Sequence, residues 1–172
     1  MELLIPGLIL VALMVYASTR IKKTAALAFE AETIETDEFI IQKPDGFLTV
    51  LNGDPQYAFE SYSKEYGTTG AENFRKGIAN LRIYDGSSFN EAAANIVGPD
   101  DEIIGEGSEV IGEHRYRVFE IKRIVGGVEF RCLSKLAERS ARVYEFQITA
   151  ITETTEEFMR SIEAMLNSFE IK

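Results

Sequence analysis

From Leu3 to Ala17 the chain reads LLIPGLILVALMVYA, a run without charge that ends just before Arg20, Lys22 and Lys23. Continued through Ile21 as a helix, it is about 28 Å long at 1.5 Å per residue, close to the roughly 30 Å hydrocarbon core of a bilayer. It has no polar face, which argues against a helix packed on a globular core. Pro6 and Gly7 fall near the first turn, where they cost little. Tyr16 stands at the position of an interfacial aromatic. Residues 1–23 are therefore expected to be an N-terminal transmembrane anchor, with Arg20, Lys22 and Lys23 as its basic flank. The tail before the run holds only the amine and Glu2, so the positive-inside bias puts the rest of the chain in the cytoplasm, the exported side being the alternative. Ala26-Leu27-Ala28 resembles a signal-peptidase site, but the basic cluster comes after the apolar run instead of preceding it, and a retained anchor is expected.

The rest of the chain is acidic. Of 28 acidic and 18 basic residues in the 172, Glu2 and the three flanking cations belong to the anchor. The remainder then holds 27 acidic and 15 basic side chains, a net charge of −12. Such a surface repels nucleic acid and anionic headgroups, so no nucleic-acid partner is expected. Hydrophobic residues make up 45% of the chain, enough for a core unaided by metal or disulfide. Cys132 and His114 each stand alone as their residue type, which rules out an internal disulfide and a histidine-rich metal site. No cofactor is implied.

Residues 24–38, with Glu30, Glu32, Glu35, Asp37 and Glu38, read as an acidic juxtamembrane linker, and residues 39–172 as one domain. Short strands are expected at Phe39-Ile40-Ile41 and from Gly46 to Leu51, then an aromatic-rich strand from Tyr57 to Tyr66. A strand from Gly77 to Tyr84 has Ala79, Leu81 and Ile83 on one face and Asn80 and Arg82 on the other. Ser88 and Glu91 form a capping box for a helix that Gly98-Pro99 stops. A short strand is expected from Glu109 to Ile111. Gly126-Gly127 joins two strands, Tyr116 to Val125 and Val128 to Leu136, in a hairpin whose central residues need positive φ. That register places Phe119, Ile121, Phe130 and Cys132 on one face and Glu120, Lys122, Arg131 and Lys135 on the other. Ala137 to Ser140 reads as a loop, and Arg142 to Ile151 alternates as a strand. Thr154 and Glu157 suggest a second capping box, for a helix with Phe158, Ile162, Met165, Leu166 and Phe169 on one side. Strands, helix, strands and helix in that order predict an α+β fold, an antiparallel β-sheet packed by helices.

Chemistry is sparse. Phosphate-loop, nucleophile-elbow, dinucleotide and zinc-ligand motifs are missing from the sequence, and no catalytic, cofactor-binding or metal residue is assigned. Asp100, Asp101 and Glu102 are the one carboxylate cluster an enzyme could use, with a solvated loop as the plainer reading. Between Arg115 and Arg142, eight basic residues meet three acidic ones. Lys122, Arg131 and Lys135 are candidates for a docking patch, and cross-strand pairing with Glu120 and Glu129 is the alternative.

The pattern resembles the PsbP-type domain family, which includes the Ran-binding Mog-type proteins. The residues that carry the resemblance are Phe39-Ile40-Ile41 through Pro44-Asp45-Gly46-Phe47, Phe59 to Gly67, and Ala79 to Ile83. The closing part matches best, in Arg142-Val143-Tyr144-Glu145-Phe146 and Met165 to Ile171. The resemblance covers residues 38–172 and implies an α/β/α sandwich that acts as a non-enzymatic accessory or binding protein. The expectation is a single-pass membrane-anchored interaction domain with a protein partner. The alternatives are a structural subunit of a membrane complex, a carboxylate-dependent enzyme, or an exported PsbP-like binding protein.

Overall fold

The computed structural model describes the backbone of residues 4–172 and the side chains of residues 9–23 and 26–172. Glu2 and the first residues of the expected anchor lie outside the described residues. Helix α1 spans Leu4–Leu27, about 36 Å of α-helix at 1.5 Å per residue. From Ile9 to Lys23 every side chain along it is exposed, including Leu10, Val11, Leu13, Met14 and Val15. Among the described residues, no helix is long and apolar enough to cross a membrane. The apolar run itself begins at Leu3, ahead of the described side chains.

After α1 come β1 (Glu32–Glu35), β2 (Phe39–Lys43), β3 (Phe47–Thr49), β4 (Tyr57–Ser63), β5 (Gly77–Asp85) and α2 (Phe89–Ile96). The chain closes with β6 (Glu102–Ile111), β7 (His114–Val125), β8 (Val128–Arg139), β9 (Arg142–Ile151), α3 (Glu156–Asn167) and β10 (Glu170–Ile171). Seven strands form one antiparallel sheet in the order β3-β4-β5-β9-β8-β7-β6, and β1-β2-β10 form a second, smaller one. The expected α+β class, an antiparallel sheet packed by helices, is the observed one.

The large sheet has a helix on each side. One face carries Phe59, Leu81, Tyr144, Phe146 and Ile148, all buried against Ile162, Met165, Leu166 and Phe169 from α3 and its end, and against Phe39 and Ile41 of the small sheet. The opposite face carries Phe119, Ile121, Cys132, Leu136 and Val143, which pack on Ala92, Ala93 and Ile96 of α2. Strand alternation produces this division, since successive side chains point to opposite faces. The β7–β8 hairpin has the expected turn, with Gly126 at φ 59° and Gly127 at φ 83°, a pairing only glycine adopts cheaply. Ile121 then sits opposite Cys132, as expected from the turn.

Four expectations are corrected. Residues 24–38 are not merely a linker: α1 continues to Leu27, and β1 pairs along β2 with Ile34 opposite Ile41. The expected Glu109–Ile111 strand is the end of the ten-residue edge strand β6. Its side chains are largely exposed, so no buried alternation marks it. The loop expected at Ala137–Ser140 is mostly the end of β8, and the turn falls at Ser140 and Ala141, both at positive φ. Finally, α3 is capped by Thr155, whose hydroxyl accepts from the Phe158 amide, so Glu157 is one place short of the capping-box position. The Ser88 box on α2 is complete, with both reciprocal hydrogen bonds made.

Candidate functional site

The hairpin cations are paired internally. Arg131 lies between Glu120 at 2.6 Å and Glu163 of α3 at 3.1 Å, and Lys122 meets Glu129 at 2.5 Å. Lys135 is fully buried, 2.8 Å from Glu109 and 4.6 Å from the centroid of the Tyr116 ring. The register puts Lys122 opposite Arg131 and Val118 opposite Lys135, so all three side chains point toward the α3 face. Among the described residues, cross-strand and sheet-to-helix pairing gives each of the three an acidic partner.

The acidic triplet is also divided. Asp101 takes a bidentate contact from Arg123, with the closest approach 2.6 Å, and accepts from the Gly98 amide at 2.7 Å. The Arg123 hydrogen bonds hold its carboxyl below the ordinary aspartate range. Arg123 also donates to the Ile96 carbonyl and so pins the end of α2 to β7. Asp100 remains exposed in the turn, and Glu102 opens β6. Among the described residues, no three His, Cys, Asp or Glu side chains are grouped to hold a metal. Cys132 is buried, and burial pushes its thiol up, as suits a small core residue.

A cleft of about 940 Å³ lies between the start of α2 and the β6–β7 turn and includes His114, Arg115, Arg117 and Glu138. Arg117 is tied to Glu106 at 2.5 Å and lies 4.8 Å from the Phe119 ring centroid. The cleft is open and mixes both charges.

A second polar group occupies the α2-side face of β4, β5 and β9. Arg82 donates to the Tyr84 hydroxyl at 3.1 Å, to Gln56 at 3.0 Å and to the Tyr57 hydroxyl at 3.2 Å. The Tyr84 hydroxyl in turn donates to Glu145 at 2.5 Å. Burial, reinforced by Glu145, pushes the Tyr84 phenol up, so it stays protonated as the bridge between guanidinium and carboxylate. Gln147 donates to Ser134 beside them. Sequence reasoning placed Asn80 and Arg82 on one face without seeing this network. The one signal for it was the tyrosine-rich strand before them, whose Tyr57 pairs with Arg82.

No family model matches the sequence, and no curated protein matches it either. Solved structures do match. The cyanobacterial PsbP (CyanoP) of Synechocystis superposes with a TM-score of 0.55 at 12% identity, over 83% of this chain and 92% of that one. The fold is PsbP-like. LpqN of Mycobacterium tuberculosis gives a TM-score of 0.59 at 10% identity, over 83% and 91% of the two chains. The Saccharomyces cerevisiae Ran-binding protein Mog1p gives 0.55 at 10% identity, over 83% and 96%. At these identities the likeness is one of fold, and the PsbP-like frame carries no residue roles with it.

Proposed function

We propose that this chain is a single-pass membrane-anchored protein whose PsbP-like domain acts by binding another protein and not by catalysis. The observation that carries the tether is α1. Its described apolar side chains surround the helix and are exposed, and Arg20, Lys22 and Lys23 come directly after them. Exposed apolar surface on this scale is unfavourable in water and favourable in lipid. Positive-inside bias at that flank favours the cytoplasmic side for the domain.

The exit from the helix supports a tether that holds the domain close. The buried Lys43 ammonium donates to the carbonyls of Glu30 at 2.5 Å and Phe47 at 2.7 Å, and the Gly46 amide donates to the Phe29 carbonyl at 2.8 Å. The β2–β3 corner thus grips the chain within three residues of the end of α1. A domain held this way moves with its anchor.

Protein binding is supported by the fold neighbours. Mog1p is a Ran-binding protein, and LpqN is involved in cell envelope biogenesis. Among the described residues, Asp101 is taken up by Arg123 and the Cys132 thiol is buried, which favours binding over catalysis in this reading. Protease treatment of right-side-out and inside-out membrane vesicles tests the arrangement. Digestion of the domain only in inside-out vesicles is expected, and digestion in intact cells would overturn the cytoplasmic placement.

A further inference from the structure

The α2 side of the large sheet is incompletely covered. Helix α2 shields β7 to β9, and Ala71 and Phe74 shield Phe130 and Ile151 at the other end. Beyond β9, toward the β3 edge of the sheet, the register of β4 and β5 brings Tyr57 opposite Arg82, Glu60 opposite Asn80 and Tyr62 opposite Ile78 on one face. Ile78 is 38% exposed, and Tyr66 beyond it is 48% exposed. This strip combines tyrosine with arginine, the composition enriched where protein interfaces concentrate their binding energy.

Its two guanidiniums are held ready. Arg75 stacks 4.0 Å from the Tyr66 ring centroid and 4.4 Å from that of Tyr62, and donates to the Ser63 and Lys64 carbonyls. Arg82 lies 5.1 Å from the Tyr57 centroid. Among the described residues, neither has a carboxylate within 4.0 Å, whereas Arg117, Arg123, Arg131 and Arg142 all do. Glu60 shares the face, and Glu145 lines the same small pocket as Arg82, its hydrogen bond to Arg82 running through the Tyr84 hydroxyl. The Arg82 Nε and Asn80 Oδ1 atoms are buried without a partner, beside a pocket of about 30 Å³ that both residues line.

We propose that this strip binds an extended, acidic segment of the partner protein, with one carboxylate at Arg75, another at Arg82 and the tyrosine rings as the floor. The Arg75 guanidinium sits over Tyr62, opposite Ile78, and that of Arg82 over Tyr57, so the two are on the order of 13 Å apart at about 3.3 Å per extended residue. An acidic segment of about five residues spans them. The net negative charge of the domain does not prevent this, because exposed charges beyond about 8 Å are largely screened at physiological salt. This inference rests on the protein-binding function proposed above and gives it a surface and a chemistry.

The test uses the full chain in detergent or nanodiscs and a fluorescein-labelled peptide of alternating glutamate and serine, about twelve residues long so that it overspans the strip. The wild type is expected to bind it more tightly than a lysine–serine peptide of the same length. Arg75→Glu and Arg82→Glu are each expected to weaken binding by about tenfold or more, as for close charge pairs at interfaces. The Arg75→Glu chain is expected to gain affinity for the lysine peptide, a gain that misfolding cannot produce. Arg160→Glu, an exposed change on α3, is expected to bind like the wild type. Equal binding of both peptides by the wild type, or unchanged glutamate-peptide binding in both arginine variants, overturns the assignment. Membrane extraction of the same samples scores the tether separately, so a failed strip and a failed anchor are told apart.

Discussion

Helix α3 sorts its side chains, and helix α1 does not. In α3, Ile162, Met165 and Leu166 are all buried against the sheets, while Glu156, Glu157, Arg160 and Asn167 face solvent. In α1, Leu10, Val11, Leu13, Met14 and Val15 are each more than half exposed, in every direction around the axis. The first pattern is what a domain needs from a helix: one apolar stripe for the core and one polar face for water. The second leaves apolar surface uncovered among the described residues, the arrangement that the proposed membrane anchor requires. Apolar content alone does not distinguish the two helices; the arrangement of that content around the axis does.

Substitutions on the packed side should give the largest losses. Phe169, just past the end of α3, is fully buried, 5.3 Å from the Phe146 ring centroid and 6.2 Å from that of Tyr116. Phe169→Ala is expected to cost about 3–5 kcal/mol, the range for truncating a core aromatic, read from urea denaturation of the full chain in detergent. A cost below about 1 kcal/mol would mean that α3 is not held by its stripe.

Next is the pin on α2. The Asp101 side chain is 6% exposed and its partner Arg123 31% exposed. Asp101→Ala is expected to cost about 1–3 kcal/mol, toward the lower end because the arginine retains some water. Its effect should depend on pH. Arg123 lowers the Asp101 pKa in the folded state, so the stabilisation is fully present above the unfolded-state value, about 4, and is lost as pH falls through the folded value. Below that point the wild type and Asp101→Asn should converge in stability. A stability gap that stays constant across acid pH would show that the pair contributes through packing instead. Smaller again is Thr155→Ala, which removes the hydroxyl that caps α3 and should cost about 1 kcal/mol, visible as a shift in the urea midpoint with unchanged slope.

The smallest expected effect on the domain is also the most informative. Leu13→Arg in α1 should leave domain stability within about 0.5 kcal/mol of the wild type, since the side chain touches no core. It should weaken membrane insertion, where a central arginine costs about 2.5–3.5 kcal/mol. A large loss of domain stability would show that α1 packs on the domain after all.

How much of the fold is legible in the sequence depends on how strongly each segment is patterned. Strand β9 is legible because Tyr144, Phe146, Ile148 and Ala150 all go into one core, and the β7–β8 hairpin because two glycines set its turn. The Ser88 box announces α2. Strands β1 and β6 are sheet edges with mostly exposed side chains, so burial never imposed an alternating pattern on them. The turn at Ser140 and Ala141 gave no glycine signal for its positive φ. Lys122, Arg131 and Lys135 were legible as a cluster, but the pairing of Arg131 with Glu163 and of Lys135 with Glu109 depends on α3 and β6 lying beside the hairpin, which spacing along the chain does not encode. The Arg82 network was missed for the same reason: it draws on β4, β5 and β9, and only the register unites them.

The contrast between the two helices is tested most directly by alkaline extraction of membranes from cells that make the full-length chain, alongside its Leu13→Arg variant. The wild type is expected to remain with the lipid pellet, as a spanning helix does, and the variant to move toward the supernatant. Release of the wild type into the supernatant would contradict the anchor and with it the membrane-held domain.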